Sequence, residues 1–256
     1  MKIVSFANQK GGVGKTTTAV TLAHGLALAG RRVLLVDMDS QGHVALSLGL
    51  PKSPGLFGLI CENRDLPSLV VGARENLDVL PGDKHTEAVQ NEFAKSPSGS
   101  VRFLEAITGG GYDVVLLDMA PSLDSLHASG LLSSNWVVIP TRMDSLSVDG
   151  LQEVIRSMGE FSRRGHFLEG YCILPTFFDR TTRETYLQFQ SLIQTFGGHL
   201  WPPIPQDTRV REAPAYGRTL WEYAPACLAM KGLPEDRRRI GGYRQILTKF
   251  MEVLDA

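Results

Sequence analysis

The sequence predicts an α/β fold, a doubly wound, mostly parallel sheet with helices on both faces. Three observations carry that expectation. Near-continuous apolar runs recur along the chain, as strands buried on both faces require. Stretches with apolar residues at helical spacing separate them. The first apolar run also passes through a glycine-rich turn, Lys10-Gly11-Gly12-Val13-Gly14-Lys15-Thr16-Thr17, straight into a helix.

Taken in order, Ile3-Val4-Ser5-Phe6-Ala7 is the first strand, and Thr18 to Ala27 continues as a helix closed near Gly30. Arg31-Arg32 lead into a second buried strand, Val33-Leu34-Leu35-Val36, which ends in Asp37 and Asp39. Residues 51–80 show little periodicity before a short strand and turn, Leu77-Asp78-Val79-Leu80-Pro81-Gly82. Ser96-Pro97-Ser98-Gly99-Ser100 reads as a loop from its turn-forming composition. Strands follow at residues 112–118, 136–140 and 171–175. Between the last two, Val148, Leu151, Ile155 and Met158 share a helical face, with Gly165 as the stop. Thr181-Thr182-Arg183-Glu184 fits a capping box ahead of a helix with Tyr186, Phe189, Ile193 and Phe196 on its apolar face. Leu200 to Ile204 reads as a last short strand, and Tyr243 to Leu254 as a closing helix.

Composition bounds the function. The 256 residues are 43 % hydrophobic, enough to bury one core, and no repeat or linker divides residues 1–256, so a single domain is expected. A net charge of −1 announces no nucleic acid globally, so any such contact rests on a local patch. Cys61, Cys172 and Cys227 form no C-x-x-C pair, which argues against a disulfide framework and suits a reducing cytoplasm. The chain begins on a strand without a leader pattern, and no apolar run approaches the length of a membrane span, so a cytoplasmic protein is expected.

The glycine-rich turn carries the chemistry. Glycines let backbone N–H groups converge on one anion, and the helix N-terminus adds partial positive charge. Lys15 is placed to reach β- and γ-phosphates, and the Thr16 hydroxyl to ligate Mg2+. Asp118 closes an apolar strand ahead of Met119-Ala120-Pro121-Ser122, where an acid holds Mg2+. Strand alternation puts Asp37 and Asp39 on one side, sharing a crevice.

The general phosphate-loop pattern places glycine at position 9, where this chain has Gln9, and a second lysine, Lys10, precedes the glycine pair. This KGGVGKTT arrangement resembles the deviant Walker A box of the ParA/MinD family of P-loop ATPases. Asp37-Met38-Asp39-Ser40-Gln41-Gly42 is similar to the family's D-x-D-P-Q-G switch, with Ser40 replacing proline, and Ala120-Pro121 stands where most relatives have Pro-Pro. Ile204-Pro205-Gln206-Asp207 resembles the segment bordering the adenine, and Leu174-Pro175-Thr176-Phe177-Phe178-Asp179 the ParA-branch loop beside it. The resemblance implies ATP and Mg2+ as cofactors. Lys10, Lys15 and Asp39 would be catalytic, with Lys10 crossing to the second subunit of an ATP-sandwich homodimer and Asp39 placing the water. Lys10, Gly11, Gly12, Val13, Gly14, Lys15, Thr16 and Thr17 would hold the phosphates. Pro205, Phe178 and Asp207 would border the base, and Thr16, Asp37 and Asp118 would support the metal.

Within that family, the ParA branch implies nonspecific binding to double-stranded DNA in the ATP state, nucleoid association, and release by a ParB-like or cargo-adaptor activator that speeds a slow hydrolysis. Residues 205–244 hold eight basic residues (Arg209, Arg211, Arg218, Lys231, Arg237, Arg238, Arg239 and Arg244) against five acidic ones, and Arg180 and Arg183 can join that surface. Arg180, Arg183, Arg209, Arg211 and Arg218 are the candidate DNA contacts. With the first strand at the start of the sequence, no preceding helix-turn-helix is expected, as in short ParA proteins. A MinD-like alternative docks a basic amphipathic C-terminal helix on membranes, whereas here the last turn is acidic, so no membrane partner is expected. A third class, iron–sulfur reductases similar to nitrogenase iron protein, needs cysteines in a context these three lack.

Overall fold

The computed structural model describes residues 1–95, 97–122, 124–235 and 238–256, and for residues 97–99 and 145–148 the backbone alone. Among them, one large sheet contains β1 (Lys2–Phe6), β2 (Val33–Met38), β3 (Val71–Arg74), β4 (Leu77–Leu80), β5 (Val114–Met119), β6 (Trp136–Arg142) and β7 (Gly170–Thr176). Their order is β3-β4-β2-β5-β1-β6-β7, parallel throughout except where β3 pairs antiparallel with β4 at the edge. A separate hairpin joins β8 (Leu233–Glu235) to β9 (Arg238–Ile240). The helices are α1 (Lys15–Leu28), α2 (His43–Ser47), α3 (Gly55–Ile60), α4 (Thr86–Lys95), α5 (Pro97–Gly109), α6 (Ser125–Ser133), α7 (Ser145–Arg163), α8 (Arg183–Phe196), α9 (Arg209–Ala215), α10 (Leu220–Tyr223), α11 (Leu228–Lys231) and α12 (Gly242–Asp255).

Successive strand residues point to opposite faces, and both faces are covered. Val4, Phe6, Leu35 and Leu116 enter a core with α1, α2 and the helices from α9 onward. Ile3, Leu34, Val36, Val115 and Leu117 enter a second core under α3 to α8. Each large aliphatic side chain buried in this way contributes about 1.5–3 kcal/mol, which makes the sheet a stiff platform. Helix α1 is buried nearly all round. It lies between the sheet and α12, whose Tyr243, Ile246, Leu247 and Phe250 close over it. Among the described residues no helix is long and apolar enough to cross a membrane.

Strand register places the chemistry. The β2–β5 pairing sets Asp37 beside Asp118, and the β1–β5 pairing sets Phe6 beside Asp118. Both acids therefore emerge at the carboxyl edge of the sheet, next to the loop that follows β1.

Several local expectations are corrected. The loop expected over residues 96–100 becomes the start of α5 from Pro97 onward, a first-turn position that needs no N–H; Ser96 lies outside the described residues. Leu200 to Ile204 is not a strand. The Trp201 and Ile204 N–H groups reach the Ile173 and Pro175 carbonyls at 2.9 and 2.7 Å. Pro202 and Pro203 between them have no donor, so only isolated bridges form.

The capping box at Thr181 is also absent. Its N–H and hydroxyl both bond the Asp179 carboxylate, at 3.0 and 2.7 Å, and Thr182 caps α8 without a side-chain bond. A capping box does form ahead of α10, where the Glu222 carboxylate accepts the Thr219 N–H at 2.8 Å. On α8 Thr185 and Leu192 are buried and Phe189 and Phe196 partly so, whereas Tyr186 and Ile193 are exposed. Of the helical face expected on α7, Leu151 and Met158 are buried and Ile155 partly so; the Val148 side chain lies outside the described residues.

Candidate functional site

The loop between β1 and α1 is braced from below before anything binds it. Asn8 is fully buried; its side-chain N–H2 donates to the Pro140 carbonyl at 2.9 Å, and its carbonyl oxygen accepts the Lys10 N–H at 2.9 Å. The Thr176 hydroxyl donates to the Val13 carbonyl at 2.8 Å. Gly12 (φ 72°) and Gly14 (φ 88°) take left-handed backbone that other residues resist. A Cβ on Gly14 would also meet the Phe177 ring at 3.4 Å. Gly14 precedes helix α1 and offers no side-chain cap, so the first N–H groups of the helix and the positive end of its dipole face the loop.

Lys15, nearly buried, donates its Nζ to the Lys10 carbonyl at 3.1 Å. Burial pushes its ammonium below the usual range, opposed by the charges of Asp118 and Asp39. The Lys10, Gly11 and Gly12 end of the loop is exposed.

Two carboxylates lie beneath this loop. Asp118 is pushed up to about 7, first by burial; the Thr16 hydroxyl and Lys15 oppose that shift, and Asp39 adds to it. No hydrogen bond of ordinary geometry reaches either of its oxygens. Asp37 is also raised, by burial first and then by the Asp118 charge. Its two oxygens accept the N–H groups of Asp39 and Val44 at 3.1 and 3.0 Å.

The expected shared crevice of Asp37 and Asp39 is therefore corrected. Strand β2 ends at Met38, and the turn that begins at Asp39 lifts only Asp39 to the surface of the site. A buried carboxylate raised in this way, with no well-formed hydrogen bond to either oxygen, is a group a neighbouring cation would relieve. No cluster of three or more His, Cys, Asp or Glu side chains capable of holding a metal occurs among the described residues. A cation here would share its shell with ligand oxygens, the habit of Mg2+.

Above the loop opens a cavity of about 570 Å3, within the range of small-molecule and cofactor sites. Its lining brings together Gly11, Gly12, Gly14, Lys15, Thr16, Thr17, Asp39 and Asp207, all expected from sequence. Arg211 lines it too, although sequence reasoning had grouped it with the DNA contacts. Phe178 and Pro205, expected beside the base, are turned away from it. Phe178 is buried with its ring 5.0 Å from that of Phe189, and Pro205 lies behind the wall.

For Asp207, burial works against ionisation, but the N–H groups of Arg209, Ala229 and Leu228 outweigh it and hold the carboxyl below its usual range. Outside the cavity, Arg180 donates to the Pro234 carbonyl, Arg209 pairs with Glu212 at 3.6 Å, and Arg183 and Arg218 are exposed. Arg244 lies over the Trp221 ring, and Arg237 falls outside the described residues.

Gln41, Pro121, Phe177 and Gln206, which lie inside the motifs quoted above without a role of their own, also line the cavity, and so do His43 and Arg142, which sequence reasoning passed over. One signal was available. Arg142 ends an apolar strand run just as Asp118 does, and polar residues there face the ligand crevice.

The geometry has clear relatives. A family model described as an AAA domain matches residues 1–167. The chromosome-partitioning ATPase Soj of Thermus thermophilus is 36% identical over 225 residues, covering 87% of this chain and 88% of its own. Among solved structures, a Cyanothece McdA variant in complex with ATP superposes with a TM-score of 0.79 at 22% identity, over 88% of this chain and 90% of that one. A cobyrinic acid a,c-diamide synthase from Mycobacterium smegmatis, with bound ADP and magnesium, gives 0.73 at 24% identity, over 88% and 96%. The two structures share the fold, which supports more than one task. The family match and the identity to Soj across nearly all of both chains are more specific: this chain belongs to the Soj/ParA family of partition ATPases, P-loop proteins with the deviant Walker A box.

Proposed function

We propose that residues 1–256 act as a single ATPase domain that binds ATP with Mg2+ in this cavity and couples its hydrolysis to the partition or positioning of cargo. The observation that carries the reading is the base of the cavity, where uncapped helix N–H groups, Lys15 and Thr16 line the wall, and the buried carboxylate of Asp118 lies close enough behind them to feel the Thr16 hydroxyl and the Lys15 charge. The loop amides and Lys15 hold the phosphates. Thr16 and Asp118 would hold Mg2+, which would supply charge neutralisation for the phosphates.

Asp37, with both oxygens engaged by the N–H groups of Asp39 and Val44, fixes the turn that aims Asp39 at the attacking water. Lys10, exposed at the loop tip, reaches the phosphates of a second copy in an ATP-sandwich homodimer. Asp207 borders the base. Arg180, Arg183, Arg209 and Arg218, multiplied by two in that dimer, give weak, salt-sensitive contacts to double-stranded DNA of any sequence. A ParB-like or cargo-adaptor protein accelerates a slow hydrolysis and frees the DNA. This cycle belongs in the cytoplasm, at the nucleoid. The apolar face of α12, which a membrane-docking helix would need to expose, is buried against α1.

The test is retention of the chain on a random-sequence duplex and, in parallel, on anionic liposomes, with ATP or ADP, at low and moderate salt. ATP-dependent, salt-sensitive DNA binding without liposome uptake is expected. ATP-dependent liposome uptake without DNA binding would overturn the reading in favour of a membrane-positioning ATPase.

A further inference from the structure

We propose that Arg142 is a nucleotide-contacting residue, a cation supplied from the end of β6 whose guanidinium pairs with phosphate oxygens of the bound nucleotide. The inference rests on the reading of the cavity as a nucleotide site and adds a residue from outside the phosphate loop.

Arg142 is the last residue of β6, which pairs with β1, the strand that feeds the loop. It lines the cavity together with Lys15, Thr16 and Asp39. Its guanidinium carbon lies 5.4 Å from the centroid of the Phe177 ring, so the group is laid on an aromatic face. That face is itself fixed. Phe177 holds a φ of 50°, a left-handed conformation costly to any side chain with a Cβ.

The residues on either side hold it there. The Thr176 hydroxyl bonds Val13 in the phosphate loop, and the Phe178 N–H donates to the Ile204 carbonyl at 2.9 Å. Strained backbone held by its surroundings collects at ligand sites, and here it keeps one aromatic ring between the loop glycine Gly14 and an arginine.

The chemistry selects the ligand class. A guanidinium is permanently charged, stacks on rings, and offers paired donors that match phosphate oxygens. Arg142 pairs with Asp144 at 3.3 Å, but the two side chains are 52% and 35% exposed. A pair this open to water is weak and readily exchanged for a polyphosphate oxygen. The stack on Phe177 lowers the cost of ordering the long side chain before the exchange.

The experiment is equilibrium binding of fluorescent ATP and ADP, with adenosine as competitor, to the full chain, Arg142→Ala, Arg142→Lys and Lys15→Ala. In Arg142→Ala, ATP and ADP should bind about tenfold more weakly while adenosine competition is unchanged. Arg142→Lys, which keeps the charge but not the fork, should recover part of the loss and shows that the effect is not misfolding. ATP and ADP binding in Arg142→Ala equal to that of the unaltered chain, with loss only in Lys15→Ala, would overturn the inference and leave the nucleotide reading standing. An equal loss for adenosine would reduce Arg142 to a packing role and overturn it as well. Absence of nucleotide binding by the unaltered chain would overturn both.

Discussion

The two halves of the cavity are built in different ways. The loop half comes from the ends of three adjacent central strands, β1, β2 and β5, and each of its groups sits in a short, recognisable string. Across from it stands a wall drawn from the end of β6, the residue after β7, and Gln206, Asp207 and Arg211, which approach only in the folded chain. In the loop half, backbone conformation and strand register dictate the positions. The other half depends on which way a single side chain turns, as the neighbours Phe177 and Phe178 show. Phosphate chemistry needs the first kind of precision, and ligand fit is set by the second.

The largest expected effect tests the loop half. Asp39→Ala should lower ATP hydrolysis by about a hundredfold or more while leaving ATP affinity within about threefold, measured by phosphate release and by binding. Unchanged turnover would remove Asp39 from its assigned role. The next contrast sharpens the difference between adjacent phenylalanines. Phe178→Ala should cost about 3–5 kcal/mol of stability and leave the affinity of the folded fraction alone. Phe177→Ala should cost no more than about 1 kcal/mol and weaken nucleotide binding. Urea unfolding of both variants reads the outcome, and equal losses of stability would show that the ring of Phe177 is structural too.

A smaller effect lies under the acid side. His127 on α6 is buried beside Met38 and Met119 with neither ring nitrogen hydrogen-bonded, and burial pushes it down to about 4, against the pull of Asp124. Because the folded imidazole resists protonation while the unfolded one accepts it near pH 6.5, the unfolded state binds more protons in this window. Stability that is present above pH 6.5 should therefore be lost as pH falls toward 4. His127→Leu should flatten that acid limb and gain on the order of 1 kcal/mol at pH 5. Thermal unfolding from pH 4 to 8 checks it, and parallel curves for the two proteins would exclude His127 as the source.

The same contrast explains what could be read from the sequence. The glycine loop, Asp118 and the buried strands were legible because each is encoded by neighbouring residues: φ values that glycine adopts at least cost, an acid at a strand end, apolar runs that two covered faces demand. Capping at Thr181 was misjudged because Asp179, two residues earlier, competes for the same hydroxyl. On α8 the expected face held for Phe189 and Phe196 and failed for Tyr186 and Ile193, large side chains that stay exposed while Leu192 is buried. Asp37 looked like a partner of Asp39 in one crevice until the strand ended between them. Arg142 is visible only with the end of β6 beside the loop, and Phe177, inside a loop already expected near the base, is singled out from Phe178 only by the direction its ring turns.

The most direct test of the central claim, that the loop over Asp118 is a Mg2+-dependent ATP site, is calorimetric titration of ATP into the unaltered chain and into Lys15→Ala, each with and without Mg2+. Binding strengthened by Mg2+ in the unaltered chain, and weakened about a hundredfold or more in Lys15→Ala, is the predicted result. Equal ATP affinity in the two proteins, or affinity indifferent to Mg2+, would contradict it.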